Sequence, residues 1–115
     1  VPIIGLVMGD RGVISRLFAS KFGGYLTYAA LDGGIESAVG EPTIKKMLDV
    51  YNFRRVGRDT QIFGLIGNPV YHSKSPFVYN KAFSFLGLNA VFVHFLVDDL
   101  PSFLNVYSSP DFAGF

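Results

Sequence analysis

The sequence predicts an α/β fold built on parallel strands. Three observations lead there. Short apolar runs at residues 3–8, 25–31, 62–66 and 91–97 alternate with stretches of helical periodicity. The connections between them are short, and strand–helix–strand order with short connections implies parallel strands and right-handed crossovers. The run at 62–66 is densely apolar rather than alternating, as a strand buried on both faces requires.

Residues 3–8 are the first strand candidate, closed by the turn Gly9-Asp10-Arg11-Gly12. Residues 13–22 form a short helix, with Leu17 one turn on from Val13 and Phe18 one turn on from Ile14. Gly23 and Gly24 end it. Residues 25–31 are a second strand, rich in Tyr, Thr and Leu. A glycine-rich loop over 32–42 follows. Thr43 caps a helix over 44–52, which turns Ile44, Met47, Leu48 and Tyr51 to the buried side.

Residues 53–61 (FRRVGRDTQ) are the charge-rich stretch, with Arg54, Arg55, Arg58 and Asp59. They separate two apolar patterns and read as an interdomain linker. A phosphate-binding patch is the sharper reading, and solvated connector arginines the plainer one. The strand at 62–66 is stopped by Gly67, Asn68 and Pro69. From Ser75 the pattern turns helical, with Ser75 as N-cap, Pro76 at the first helical position, and Val78, Ala82, Phe85 and Leu86 on one face. Gly87 and Asn89 make the C-terminal turn. Residues 91–97 are a strand in which His94 reads as a core or edge histidine. Asp98 or Asp99 caps a helix over 100–107, with Pro101 in its first turn and Phe103, Leu104 and Tyr107 on one face. A turn at 108–111 leads to the start of another strand at 112–115.

Composition narrows the function classes. The chain has 115 residues, enough for one small domain. It is 50% apolar and only 17% charged, against about 25% charged in typical domains. That excess implies surface covered by the remainder of its own chain or by a partner, and the sequence reads as an incomplete fragment. A net charge of +1 gives no basic field for nucleic acid. There is no cysteine, hence no disulfide framework or thiol nucleophile, and two distant histidines make no metal signature. The apolar stretch at 90–97 contains His94 and is far too short to span a bilayer. No targeting segment is visible, and Val1 is not an initiator.

The turn between the strand at 62–66 and the next helix carries most of the chemistry. In an open α/β sheet the turn after a strand's carboxyl end is where ligands bind. Backbone N–H groups and hydroxyls at a helix start suit a carboxylate or phosphate. Read from the residues alone, Ser75 caps the helix and Ser73 shapes the turn, or both hydroxyls face an anion. Gly67-Asn68-Pro69-Val70, then His72-Ser73-Lys74-Ser75-Pro76, then Asn80, resemble the opening motif of the shikimate dehydrogenase family over most of residues 62–115. The resemblance implies that Ser73 and Ser75 hydrogen-bond the carboxylate of shikimate. It leaves His72 and Lys74 a supporting role as parts of the turn.

Residues 1–52 resemble the C-terminal end of type I 3-dehydroquinate dehydratases, which are (β/α)₈ barrels. The matching residues are Met8-Gly9, Ser15-Arg16 and Ser37-Ala38-x-Gly40. They would be the last two βα units, with the turn after Met8 and the loop over 32–42 at the face where barrel chemistry sits. The resemblance implies that Arg16 binds the substrate carboxylate, a bidentate task suited to guanidinium, and that Ser37 contributes from the loop. Read as a bare helix residue, Arg16 would be solvated. Where the family loop usually reads S-A-P-G-Q, this chain has Val39 and Glu41. A carboxylate cannot donate hydrogen bonds. It would also repel an anionic substrate by about 4 kcal/mol at about 4 Å and an effective dielectric near 20. Either Glu41 points away, or it is protonated, or this half binds its substrate poorly. The family's Schiff-base lysine and general acid/base histidine belong to earlier strands. Lys21, Lys45 and Lys46 do not replace them and read as a solvated helix face.

Barrel end (1–52), basic linker (53–61) and dehydrogenase start (62–115) occur in this order in the plant-type bifunctional dehydratase–dehydrogenase family. The resemblance implies two steps. One is dehydration of 3-dehydroquinate to 3-dehydroshikimate. The other is hydride transfer between NADP and the 3-dehydroshikimate/shikimate pair. It also implies a plastid location. No residue of the segment is assigned to catalysis, to the cofactor or to a metal. NADP belongs to a later domain, and no G-x-G-x-x-G occurs here. The segment supplies carboxylate-binding residues to both sites and complete chemistry to neither. Competing readings are a paralogue directed to quinate or gallate, for which the bulky Tyr71 leaves room, and a non-enzymatic truncated remnant.

Overall fold

The computed structural model describes residues 2–31 and 41–115. In chain order its elements are α1 (Val13–Leu17), α2 (Ile44–Asp49), β1 (Gln61–Gly67), α3 (Ser75–Leu86), β2 (Ala90–Leu96), α4 (Leu100–Val106) and β3 (Phe112–Gly114). Single 3₁₀ turns lie at Asp10–Gly12 and Phe53–Arg55. The three strands form one parallel sheet in the order β2-β1-β3. The α/β class with parallel strands is therefore as the sequence predicts. β1 holds the centre: α3 carries the chain to β2 on one side, and α4 returns it to β3 on the other.

Register follows from the apolar pattern. Ile62, Gly64 and Ile66 stand opposite Val91, Val93 and Phe95, and Phe63 and Leu65 stand opposite Phe92 and His94. Because successive residues alternate between faces, these are two separate packing surfaces. On the first, Ile62, Val91, Val93 and Phe95 join Leu17, Phe18, Met47, Val56 and Phe103 in one buried cluster. The Phe95 ring lies 6.4 Å from that of Phe18 and 5.2 Å from that of Phe103. Gly64 is required here: a Cβ on it would stand 2.3 Å from the Phe95 ring.

α3 covers the second face. The side chain of Asn80, fully buried, donates from Nδ2 to the Phe92 carbonyl (2.8 Å) and accepts the Phe92 N–H at Oδ1 (2.7 Å). Among the described residues β2 is an edge strand, and no neighbouring strand pairs those backbone groups. Phe83 packs on Phe63 at 5.6 Å, and Tyr79 stacks on Phe92 at 4.7 Å. Gly87 ends the helix in the left-handed conformation, at φ 70°.

Several expectations are corrected. Residues 3–8 and 25–31 are not strands: each makes a single parallel bridge, Ile3 to Gly24 and Ala30 to Thr43. An extended segment becomes a strand only when a neighbour supplies a ladder, and among the described residues neither has one. The first helix stops at Leu17. The second stops at Asp49, and the left-handed Asn52 turns the chain away. Thr43 does cap it, accepting the Lys46 N–H at 3.0 Å, but Ile44 is exposed. The apolar face foreseen for α3 points outward: Val78, Ala82, Phe85 and Leu86 are exposed, Phe85 to 90%. The inward side carries Pro76, Asn80 with its two bonds to β2, and Phe83 against Phe63. Of Asp98 and Asp99, Asp99 caps α4, accepting the Ser102 N–H at 3.3 Å. Phe103 is buried there, while Leu104 is exposed.

The basic segment is more than a solvated connector. Val56 and Thr60 are buried, Thr60 bonds Asn89 at 2.7 Å, and Arg55 donates to the Ser84 hydroxyl at 2.9 Å. Lys21, expected on a solvated face, is 5% exposed. Its Nζ donates to the Arg58 carbonyl (2.9 Å) and meets Asp111 Oδ1 (3.0 Å). One ammonium thus joins the amino-terminal segment, the basic segment and the approach to β3. A buried cation is tolerated only with such partners.

Two outcomes are expected. Asn80→Ala strands two buried backbone groups and should lower unfolding free energy by about 2 kcal/mol, read as a shifted urea midpoint at unchanged slope. Asp111 is held below the usual carboxylate range, first by its hydrogen bond from Lys21 and then by that from Ser109. Its stabilisation is therefore present above the unfolded carboxylate range near pH 4 and is lost as pH falls through the depressed folded value. Asp111→Asn should lower the urea midpoint near neutral pH, and the gap to wild type should close on acidification. A gap that persists in acid would show that the carboxylate charge is not what matters.

Candidate functional site

β1 ends at Gly67, and Asn68 and Pro69, joined by a cis peptide, lead into the turn. Asn68 donates to Asp98 beyond β2, and the same carboxylate pairs with Arg11 of the amino-terminal segment. Val70 is buried and anchors the turn, and the Ser73 N–H returns to its carbonyl at 3.2 Å. The turn is thereby fixed at both ends before the hydroxyls are reached.

The two serines meet. Their Oγ atoms are 3.0 Å apart, and Ser73 Oγ accepts the Ser75 N–H at 3.2 Å. This corrects the expected capping. The N-cap position of α3 is Lys74, which makes no side-chain cap, and Ser75 is already the first helical residue. Ser73 supplies the acceptor because its hydroxyl, two residues back, reaches an N–H that has no intrahelical partner. The Ser73 oxygen keeps a second lone pair, so either hydroxyl can donate to the other, and the free proton can go to a ligand.

The surroundings are cationic. Lys74 stands at the amino end of a twelve-residue helix, where the helix dipole already favours an anion. Lys46 from α2, His72 and Lys74 line a cleft of about 480 Å³ together with Tyr51, Tyr71, Ser73 and His94. Ser75 borders a second cavity, of about 430 Å³, with Phe63, Tyr79, Phe92 and Phe115. Paired hydroxyl donors between cavities, with two lysines close by, suit a small polar ligand bearing a carboxylate. Burial raises the Tyr51 phenol to about 12 and also raises that of Tyr71, so both stay neutral donors. Tyr71 gives its hydroxyl to the Asp10 carbonyl.

His94 is 8% exposed, and its Nε2 lies 2.9 Å from the Ser73 carbonyl oxygen. A carbonyl only accepts, so Nε2 carries the proton. The Tyr71 ring packs edge-on at 5.4 Å. Burial pushes the imidazole pKa down. The bond to Ser73 opposes that shift, and His72 and Lys46 add to it.

The second predicted site lies apart, on α1. Arg16 is 1% exposed, not solvated. Its Nη1 stands 3.7 Å from Glu41 Oε2, an ion pair longer than a hydrogen bond. Among the described residues, Arg16 Nε and Nη2 are buried without a hydrogen-bond partner. Glu41 does not point away: it is buried against the guanidinium. Ser37 lies outside the described residues. Sequence reading missed His94, Asn80 and Lys21 as organising groups. The available signal was a polar residue at an inward position of an apolar element, which marks a bond but does not name the partner.

Comparison with known proteins gives the following. A family model described as type I 3-dehydroquinase matches residues 1–58, and one described as the shikimate dehydrogenase substrate binding domain matches residues 65–115. The chain is similar to the chloroplastic bifunctional 3-dehydroquinate dehydratase/shikimate dehydrogenase of Arabidopsis thaliana, 63% identical over all of this chain and 19% of that protein. It is 30% identical to the shikimate biosynthesis protein AroDE of Chlamydia pneumoniae, over 98% of this chain and 24% of that protein. It therefore spans about a fifth to a quarter of the length of these relatives. Among solved structures, the dehydroquinate dehydratase and shikimate dehydrogenase from S. pombe AroM aligns over 91% of this chain and 19% of that one. The identity there is 28% and the TM-score 0.43.

Proposed function

Because the chain belongs to the type I 3-dehydroquinase family through residues 1–58, and continues into a match to a shikimate dehydrogenase substrate binding domain, we propose that it is the junction of a bifunctional shikimate-pathway enzyme. Residues 1–52 contribute the last two βα units of the dehydratase barrel, 53–61 connect the two parts, and 62–115 begin the dehydrogenase substrate-binding domain. The whole enzyme dehydrates 3-dehydroquinate and interconverts 3-dehydroshikimate and shikimate with NADP, in the plastid. Support for the order of parts comes from the Arabidopsis and Chlamydia relatives, which are similar along essentially the whole chain.

The observation that carries the dehydrogenase reading is the pair of hydroxyls 3.0 Å apart at the start of α3. Two adjacent O–H donors can take the two oxygens of one carboxylate, and charge-assisted bonds of this kind are the strong ones. Ser73 and Ser75 then bind and orient shikimate through its carboxylate, which leaves the ring for the chemistry. NADP supplies the hydride acceptor from a nucleotide domain elsewhere in the protein, and no residue of this chain is assigned to it.

In the dehydratase half, Arg16 binds the carboxylate of 3-dehydroquinate, with Ser37 contributing from the loop. Support comes from the two buried guanidinium nitrogens that have no hydrogen-bond partner among the described residues. Glu41 opposes this binding, because its carboxylate already stands beside Arg16.

The serines test the first reading. A hydrogen bond to a charged group contributes about 1.5–3 kcal/mol, so losing one hydroxyl should lower kcat/KM for shikimate roughly 10- to 150-fold. Ser75→Ala is the cleaner variant, since Ser73→Ala also removes the acceptor for the Ser75 N–H. An analogue lacking the carboxylate should be insensitive to Ser75→Ala. Equal losses for both substrates would mean that the serine does not read the carboxylate.

Glu41→Gln tests the second. It should lower the dehydratase KM for 3-dehydroquinate by removing the competing charge. It should also cost stability, about 3–5 kcal/mol if the pair acts as a typical buried one. Lost stability at an unchanged KM would make Glu41 a structural partner of Arg16 with no bearing on substrate.

A further inference from the structure

Among the groups that the proposed chemistry leaves unused, the buried imidazole of His94 is the one tied to the site by a bond. It stands on β2 opposite Leu65, within a strand otherwise made of apolar residues. An imidazole in that place is costly unless a partner compensates. The partner is the main chain of the turn itself: the Ser73 carbonyl oxygen, 2.9 Å from Nε2. The same residue presents the hydroxyl that meets Ser75 at 3.0 Å.

The turn has few other ties in its middle. Val70 anchors its start, and the Ser75 N–H closes its end onto Ser73 Oγ. His72 and Lys74, on either side of Ser73, are exposed. The peptide that follows Ser73 is thus held from the sheet by one side chain. Rotation of that peptide would swing the Ser73 hydroxyl away from its partner.

We propose that His94 is a positioning residue for substrate: by donating Nε2–H to the Ser73 carbonyl oxygen, it holds the turn so that the Ser73 and Ser75 hydroxyls act on one carboxylate together. The Tyr71 ring, edge-on at 5.4 Å, keeps the imidazole in that orientation. This role rests on the reading of the two serines as carboxylate ligands, and it acts through the turn, although the imidazole also borders the cleft.

The test uses the full-length enzyme and two variants. His94→Leu keeps the bulk and removes the donor. His94→Gln returns an N–H donor at similar reach. With misplacement of a binding group by about 1 Å costing up to about a hundredfold, His94→Leu should raise the KM for shikimate about tenfold. It should leave kcat within about twofold and the KM for NADP unmoved, and His94→Gln should recover most of the loss. Nitrogen NMR of labelled histidine should find the neutral ring protonated at Nε2, with that proton slow to exchange. The proposal is overturned if Leu and Gln are equally impaired, if the two KM values rise together, or if the proton sits on Nδ1. The NMR result separates this proposal from the reading beneath it. An Nε2 proton in an enzyme whose shikimate KM ignores both Ser75→Ala and His94→Leu would leave the bond in place, refute the serine assignment, and with it remove the role of His94.

Discussion

β1 is hydrogen-bonded along both edges and packed on both faces, and the rest of the molecule is arranged around that constraint. Its outer partners, β2 and β3, run parallel to it, so each must be reached by a crossover, and α3 and α4 provide them. Its faces must be apolar throughout, and one position must carry no side chain at all: Gly64, over which the Phe95 ring lies. The chain leaves β1 through α3 to β2 and crosses back through α4 to β3 on the other side, so the turn after Gly67 lies where the sheet's order changes direction. Open α/β sheets bind ligands at such places because no crossover covers them.

The amino-terminal half depends on that sheet. Its extended segments find no ladder among the described residues, so Leu17, Phe18 and Met47 obtain their burial from Phe95 and its neighbours. Polar contacts follow the same geometry. Lys21 reaches the basic segment and Asp111, Arg11 reaches the end of β2, and Tyr71 reaches back to Asp10. Exposed pairs such as Arg11–Asp98 add little to stability. The buried ammonium of Lys21 is another matter, since it cannot be left without its partners. The two halves, which match different families, are in this way joined by a core and a buried charge as well as by the chain between them.

The two loci proposed to bind carboxylates are built on opposite principles. At Ser73 and Ser75 the donors are neutral hydroxyls, with cations nearby and no acid among the described residues lining the cleft. At Arg16 the donor is a full charge, and a carboxylate of the protein stands beside it. The first arrangement sets no charge of the protein against the anion proposed for it. In the second, any incoming anion must compete with Glu41 for the guanidinium.

What could be read from the residues alone was local. The α/β class, β1, β2 and β3, the Thr43 cap, an aspartate cap at 98 or 99, the Gly87 terminus and the motif from Gly67 to Asn80 all follow from chemistry within a few residues. Partners at a distance decided the rest. Residues 3–8 and 25–31 have strand composition, but a strand exists only where a neighbour supplies hydrogen bonds. The apolar stripe of α3 points outward among the described residues, while Pro76 and Asn80, the latter through two bonds to β2, lie on the inward side. Lys21 read as a solvated helix residue, Arg16 as solvated apart from the role that the resemblance implies, and His94 as a core or edge histidine. Their burial, and therefore their meaning, came from groups 90, 25 and 21 positions away in the chain. A polar side chain in sequence shows what it can bond; only the fold places the partner and removes the water that would otherwise take its place.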